Sequence, residues 1–198
     1  GGAAATPSLA AAAAATAAAW ELLWYLGVTV VNKKKLYKEH INGMLQKAQK
    51  MANMTFGITQ RCCNRLMIGK CYWKCLALPS FLYGASILSL TDAEVRKLQV
   101  CENGVYRQIL RAPKYSPICT IRGEVGTSLM KTRVMTMHLQ FLRGAMQGSN
   151  DLIRKIAREE LEVRTSTWAR TTRRYCETVG LNTAEVERMS KPALKKRL

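Results

Sequence analysis

Residues 89–113 read SLTDAEVRKLQVCENGVYRQILRAP. Ser89 or Thr91 can cap a helix here, its hydroxyl accepting from a first-turn backbone N–H. Asp92 and Glu94 follow, where the positive end of the helix dipole favours carboxylates. Val95, Leu98, Val100, Cys101, Val105, Ile109 and Leu110 supply a buried face. Pro113 ends the run, because it has no N–H to donate and its ring clashes with the preceding turn. Arg107 and Arg111 stand at i and i+4 and share one face. The stretch predicts a long amphipathic helix, and most of the chain around it has the same period.

Upstream, residues 60–90 are basic and amphipathic at first, with Arg61, Arg65, Lys70 and Lys74, and then nearly apolar. The uncharged part is too short to cross a membrane and is interrupted by Pro79 and Gly84. It predicts a buried core helix kinked near Pro79. Residues 33–58 carry an apolar stripe of Leu36, His40, Ile41, Met44, Leu45, Ala48 and Met51. Lys38, Lys47 and Lys50 lie off that stripe, and Gly57 is a plausible stop. Before it stands WYLGVTVV, residues 24–31, whose aromatic and β-branched residues predict a short strand with a bulge or bend at Gly27. Residues 1–19 are alanine-rich, favouring helix but offering almost no surface to bury.

Downstream, KYSPICTIRGEVG (114–126) is punctuated by Pro and Gly and predicts a connector. Helical spacing resumes over residues 127–148 through Leu129, Val134, Met137, Leu139, Phe141 and Leu142. Further amphipathic helices follow over 151–162 and 165–181. The last residues, MSKPALKKRL, predict a solvated basic tail.

The 198 residues hold 31 Lys+Arg against 13 Asp+Glu, a formal charge of +18. A chain so charged repels itself unless it meets a polyanion, and the excess is spread along its whole length. Nucleic acid is the partner this implies. Seven cysteines, an odd number, and no secretory leader predict free thiols in a reducing compartment, cytoplasmic or nuclear.

There is no phosphate-cradling GxxxxGK[ST] loop and no GxSxG elbow. The two histidines, His40 and His138, fall in apolar helical stripes, which predicts packing rather than acid–base work. The carboxylates sit at helix starts or beside arginines, and none form the pair that two Mg²⁺ ions need. Cys71 and Cys75 stand at i and i+4, but with Cys62 and Cys63 they alternate with apolar helical positions, unlike the turns of structural zinc sites. No metal, no cofactor, no small-molecule substrate and no membrane insertion are expected. Phosphate contacts are expected from Lys47, Lys50, Arg61, Arg65 and Lys70, which hold backbone without reading bases.

Taken in order, several motifs resemble the C-terminal part of the reverse transcriptase of non-LTR (LINE-type) retrotransposons. Tyr25, Leu26, Gly27 and Val28 match the YLG strand of that family's primer grip. Leu78, Pro79, Leu82, Tyr83 and Gly84 match its LP…LYG helix, with Leu98, Gln99, Arg107, Ile109 and Leu110 downstream. SLMKTRVMTMHLQFLRGAM (128–146) is similar to a post-thumb helix, and the W…YCETVGLN run (168–182) to the region beyond it.

The resemblance covers residues 24–185 and implies a mainly α, thumb-like helical bundle with one short strand or hairpin remnant near residues 24–31. It divides the chain into an alanine-rich leader (1–23), a primer-grip remnant (24–32), a thumb-like bundle (33–125) and a C-terminal helical extension with a basic tail (126–198). The family's catalytic aspartates would precede Tyr25, where only the leader stands. The expectation is therefore a truncated fragment that binds the backbone of a template–primer duplex, RNA or DNA, without a polymerase site of its own. Two alternatives are the inactive translated remnant of a decayed element and the terminal part of a split RNA-directed DNA polymerase. A complete enzyme would need carboxylates not found here, and a membrane-surface protein would rest on basic helices such as 151–162.

Overall fold

The computed structural model describes residues 22–25, 28–31, 37–163 and 165–197. They are mainly helical, as the periodicity predicts. Backbone contacts divide the chain into two units, Gly1–Met44 and Leu45–Leu198.

In the first unit, β1 (Leu22–Tyr25) and β2 (Val28–Val31) pair antiparallel, with Leu22 opposite Val31 and Tyr25 opposite Val28. The run expected as a strand across 24–31 is thus divided. Tyr25 closes one strand and Val28 opens the next. Leu22 and Leu23, assigned above to the leader, are strand residues that give β2 a local partner, which satisfies the inner edge of each strand. Leu26, Gly27, Lys33–Lys35 and the alanine-rich run lie outside the described residues.

α1 (Lys38–Gln60) runs through Gly57, where a stop was expected. Its buried side continues as Ala48, Ala52, Thr55 and Thr59. The two threonines are tolerated there because their hydroxyls donate back to the carbonyls of Met51 (2.7 Å) and Thr55 (2.8 Å).

Asn64 caps α2 (Arg65–Tyr72), accepting from the Met67 N–H at 3.0 Å. The chain then widens into a π-helical turn, Trp73–Ala77, and tightens again into α3 (Leu78–Phe81). Pro79 explains the widening. A regular turn would direct its ring at the carbonyl of Cys75 and need an N–H it does not have. The Leu78 N–H reaches back to Trp73 instead. The turn buries Trp73 and Ala77 completely and sets Trp73 against Phe81, ring centroids 5.6 Å apart and planes tilted by 48°.

Thr91 and Glu94 form a capping box at the head of α4 (Asp92–Leu110). Val95, Leu98, Glu102, Val105, Tyr106 and Ile109 make its buried side. Val100, expected there, is 64% exposed, because it falls off the line through residues 95, 98, 102 and 109. Gly69 lets α2 approach: a Cβ at that position would stand 2.8 Å from Ile109 of α4 and from Thr59 of α1. The connector expected at 114–126 contains a helix, α5 (Ile118–Val125), between Pro117 and Gly126, the latter at φ 64°.

α6 (Met130–Gln147) is the central helix of the second unit. α4 packs against it, as do α7 (Asp151–Glu162), α8 (Thr167–Val179), α9 (Thr183–Arg188) and α10 (Lys191–Arg197). Met135, Leu139 and Leu142 of α6 meet Tyr175, Val186 and Leu194 in one core. The end of the chain is therefore not the solvated tail expected: Leu194 is fully buried, because Ala193 and Leu194 break the run of charge with an apolar anchor. His138 is also fully buried, 2.7 Å from the Thr172 hydroxyl and beside the rings of Trp168 and Tyr175. It packs as a core histidine, and burial pushes its pKa down to about 4. Among the described residues no helix is long and apolar enough to cross a membrane.

Candidate nucleic-acid interface

The five residues expected to meet phosphates take different positions. Lys47 and Lys50 are exposed on α1, Arg61 is exposed just past its end, and Lys70 is half-buried on α2. Arg65, half-buried at the start of α2, lies in a groove of about 540 Å³ with Phe56, Gln60, Arg107, Arg111 and Lys114. Among the described residues, none that lines this groove is acidic. The other four predicted contacts do not line it.

Local structure places each cation. The Asn64 cap fixes where α2 starts and so where Arg65 leaves the backbone. Arg65 Nη2 donates to the Gln108 carbonyl at 3.4 Å, and Arg107 Nη2 donates to the Ser116 carbonyl at 3.4 Å. Arg65 Nε and Nη1 and Arg107 Nε have neither solvent nor a protein acceptor. Guanidinium N–H groups buried this way cost free energy. Arg111 ends α4 in the left-handed region, at φ 51°. The Ala112 N–H returns to the Arg107 carbonyl at 2.9 Å and the Arg111 N–H to Gln108 at 3.2 Å, a Schellman closure usually built on glycine. Gly104 lies on the groove wall, and a Cβ there would meet nothing within 4 Å.

A buried ionic cluster holds α4 in place behind the groove. Glu102 is fully buried. Its carboxylate accepts from Arg133 Nη1 at 2.6 Å, Tyr106 Oη at 2.9 Å, Trp73 Nε1 at 3.2 Å and Gln99 Nε2 at 3.3 Å. Arg122 Nη1 of α5 stands 3.5 Å away and also donates to Asn103 Oδ1 at 3.1 Å, while its Nη2 donates to the Ser128 carbonyl. One carboxylate thus joins the π turn, α4, α5 and α6. Burial, with Glu102 adding to it, pushes the Tyr106 hydroxyl up to about 12, so it stays a donor.

Sequence reasoning gave Arg65 and noted the shared face of Arg107 and Arg111 without assigning them to the site. Lys114 and Glu102 were missed. Lys114 follows no periodicity. Glu102 was legible as an acid on the line of Val95, Leu98 and Ile109, an apolar line a carboxylate joins only when paired.

Among the described residues no three His, Cys, Asp or Glu side chains come together to hold a metal ion. Cys71 and Cys75 are exposed, their Sγ atoms 4.0 Å apart, and all seven cysteines are free thiols. In comparisons with known proteins, no family model, no curated protein and no solved structure matched the chain.

Proposed function

We propose that the chain binds the phosphate backbone of nucleic acid, as a helical module of the kind that forms a reverse transcriptase thumb. The observation that carries the reading is the groove: Arg65, Arg107, Arg111 and Lys114 converge on one concavity with no carboxylate among them. An anion entering it meets four cationic side chains and no opposing carboxylate, an arrangement that favours phosphate over any neutral ligand. Lys47, Lys50 and Arg61 add exposed charge on and just beyond α1, outside the groove, suited to further phosphates along a strand. The groove offers cations to the backbone, and no base-specific contact is expected. The motif order from Tyr25 to Leu110 supports a LINE-type origin, and free thiols throughout suit an intracellular site, cytoplasmic or nuclear.

The test is equilibrium binding of a labelled RNA–DNA duplex at low salt, in parallel with vesicles of anionic lipid. Tight, salt-sensitive binding of the duplex with weak vesicle binding supports the reading. Vesicle binding alone would favour a membrane surface, and binding of neither would refute a polyanion partner.

A further inference from the structure

The groove is larger than a phosphate needs, and one wall is aromatic. Its volume of about 540 Å³ falls within the range of small-molecule sites, about 300–1,000 Å³. Phe56, on α1, lines it and is 42% exposed. Opposite chemistry thus shares one concavity: cations that suit a phosphate, and an exposed aromatic side chain that suits a base. Gly104 contributes by lacking a side chain. Its Cβ would meet no atom within 4 Å, so packing does not require the glycine, and in mid-helix a glycine costs stability relative to alanine. What it leaves is open space on the groove wall.

We propose that this groove takes one unpaired nucleotide of a nucleic-acid strand, its phosphate held by Arg65, Arg107 and Arg111 and its base against Phe56. This rests on the nucleic-acid reading above and narrows it. A base within a duplex is stacked and paired, so it cannot enter a groove while its phosphate follows the surface. A nucleotide at a strand end or in an overhang can. Stacking on an aromatic ring tolerates every base, which agrees with a site lined by cations and one ring. Lys114, exposed on the connector, also lines the groove and offers a further cation to the strand.

The experiment compares a blunt duplex with the same duplex carrying a short single-stranded overhang, by fluorescence anisotropy at one salt concentration. Wild type binds the tailed duplex about tenfold more tightly, the order that stacking of one base provides. In Phe56→Ala, and separately in Gly104→Leu, which fills the groove without changing charge, the ratio falls to about one. Thermal melts establish that both variants are folded. Equal affinity of wild type for the two duplexes, with strong salt-sensitive binding to each, overturns the nucleotide site and leaves backbone binding standing. A tenfold preference that survives both substitutions also overturns it. Binding of neither duplex at low salt removes both readings.

Discussion

Arg65, at the start of α2, donates from Nη2 to the backbone carbonyl of Gln108 in α4 at 3.4 Å. The contact spans 43 positions of sequence. It brings a cation from one amphipathic helix beside Arg107 and Arg111 of another, and so converts two ordinary basic faces into one groove.

Arg111 is the sharpest test of whether that groove is used. It sits at φ 51°, where a side chain strains the backbone and glycine does not. Arg111→Gly should raise stability by about 0.5–1 kcal/mol in urea denaturation, since the left-handed strain of about 1–2 kcal/mol is partly offset by the freedom glycine adds to the unfolded chain. The same variant should weaken duplex binding and reduce its salt slope by about one phosphate contact. Gain in stability with loss of binding marks a position held strained for function. Loss of both would mean that the guanidinium serves the fold.

Glu102 should be the most sensitive position in the fold. Glu102→Ala leaves Arg133 and Arg122 facing each other without a counter-ion, together with unmet donors on Trp73 and Tyr106. Removing one partner of a buried pair costs about 3–5 kcal/mol. Denaturant unfolding measures it. A loss below about 1 kcal/mol, the value of an exposed pair, would contradict the cluster's burial.

His138 makes stability depend on pH. Its hydroxyl partner, Thr172, donates to the Trp168 carbonyl at 2.9 Å, so the histidine donates from Nε2, and burial keeps it neutral in the fold. The folded pKa of about 4 lies below the ordinary 6.5, and the unfolded chain therefore binds the extra proton between those values. Stability from this group is complete above about pH 6.5 and is lost as pH falls toward 4, by about 3 kcal/mol in all. Comparison of wild type with His138→Leu from pH 7 to pH 4 isolates the loss, and parallel curves would contradict it.

Two packing substitutions test the architecture. Gly69→Ala puts a methyl 2.8 Å from Ile109 and Thr59, which must move. It should cost about 1–3 kcal/mol, and it should weaken binding too, because α2 carries Arg65. Leu194→Ala should cost about 2–5 kcal/mol if α10 is docked in the core. A neutral result would restore the solvated tail.

The helices were legible because their signals are local: the Thr91–Glu94 capping box, the stripe through Val95, Leu98 and Ile109, and the stop at Pro113. The failures share a cause. Gly57 did not end α1, because the buried side of the helix continues past it to Thr59 and tertiary packing overrides the weak local preference of glycine. Pro117 to Gly126 looked like a connector and enclosed a single short helix, since a cap at each end leaves little room for a period to show. The hairpin was half-visible, because Leu22 and Leu23 continue the apolar character of the alanine run. Arg65 was named from charge spacing alone. Its meeting with Arg107 depends on Gly69 letting α2 approach α4 and on Glu102 tying the following π turn to α4, which is tertiary information.

The most direct measurement is the salt dependence of duplex binding by wild type and by Arg65→Gln/Arg107→Gln, between about 50 and 200 mM salt. The account predicts a linear log–log plot for wild type with a slope of several phosphates, and a double-variant slope shallower by about two contacts, at about 0.9 each. Identical slopes and affinities for the two proteins would contradict the groove as the phosphate site.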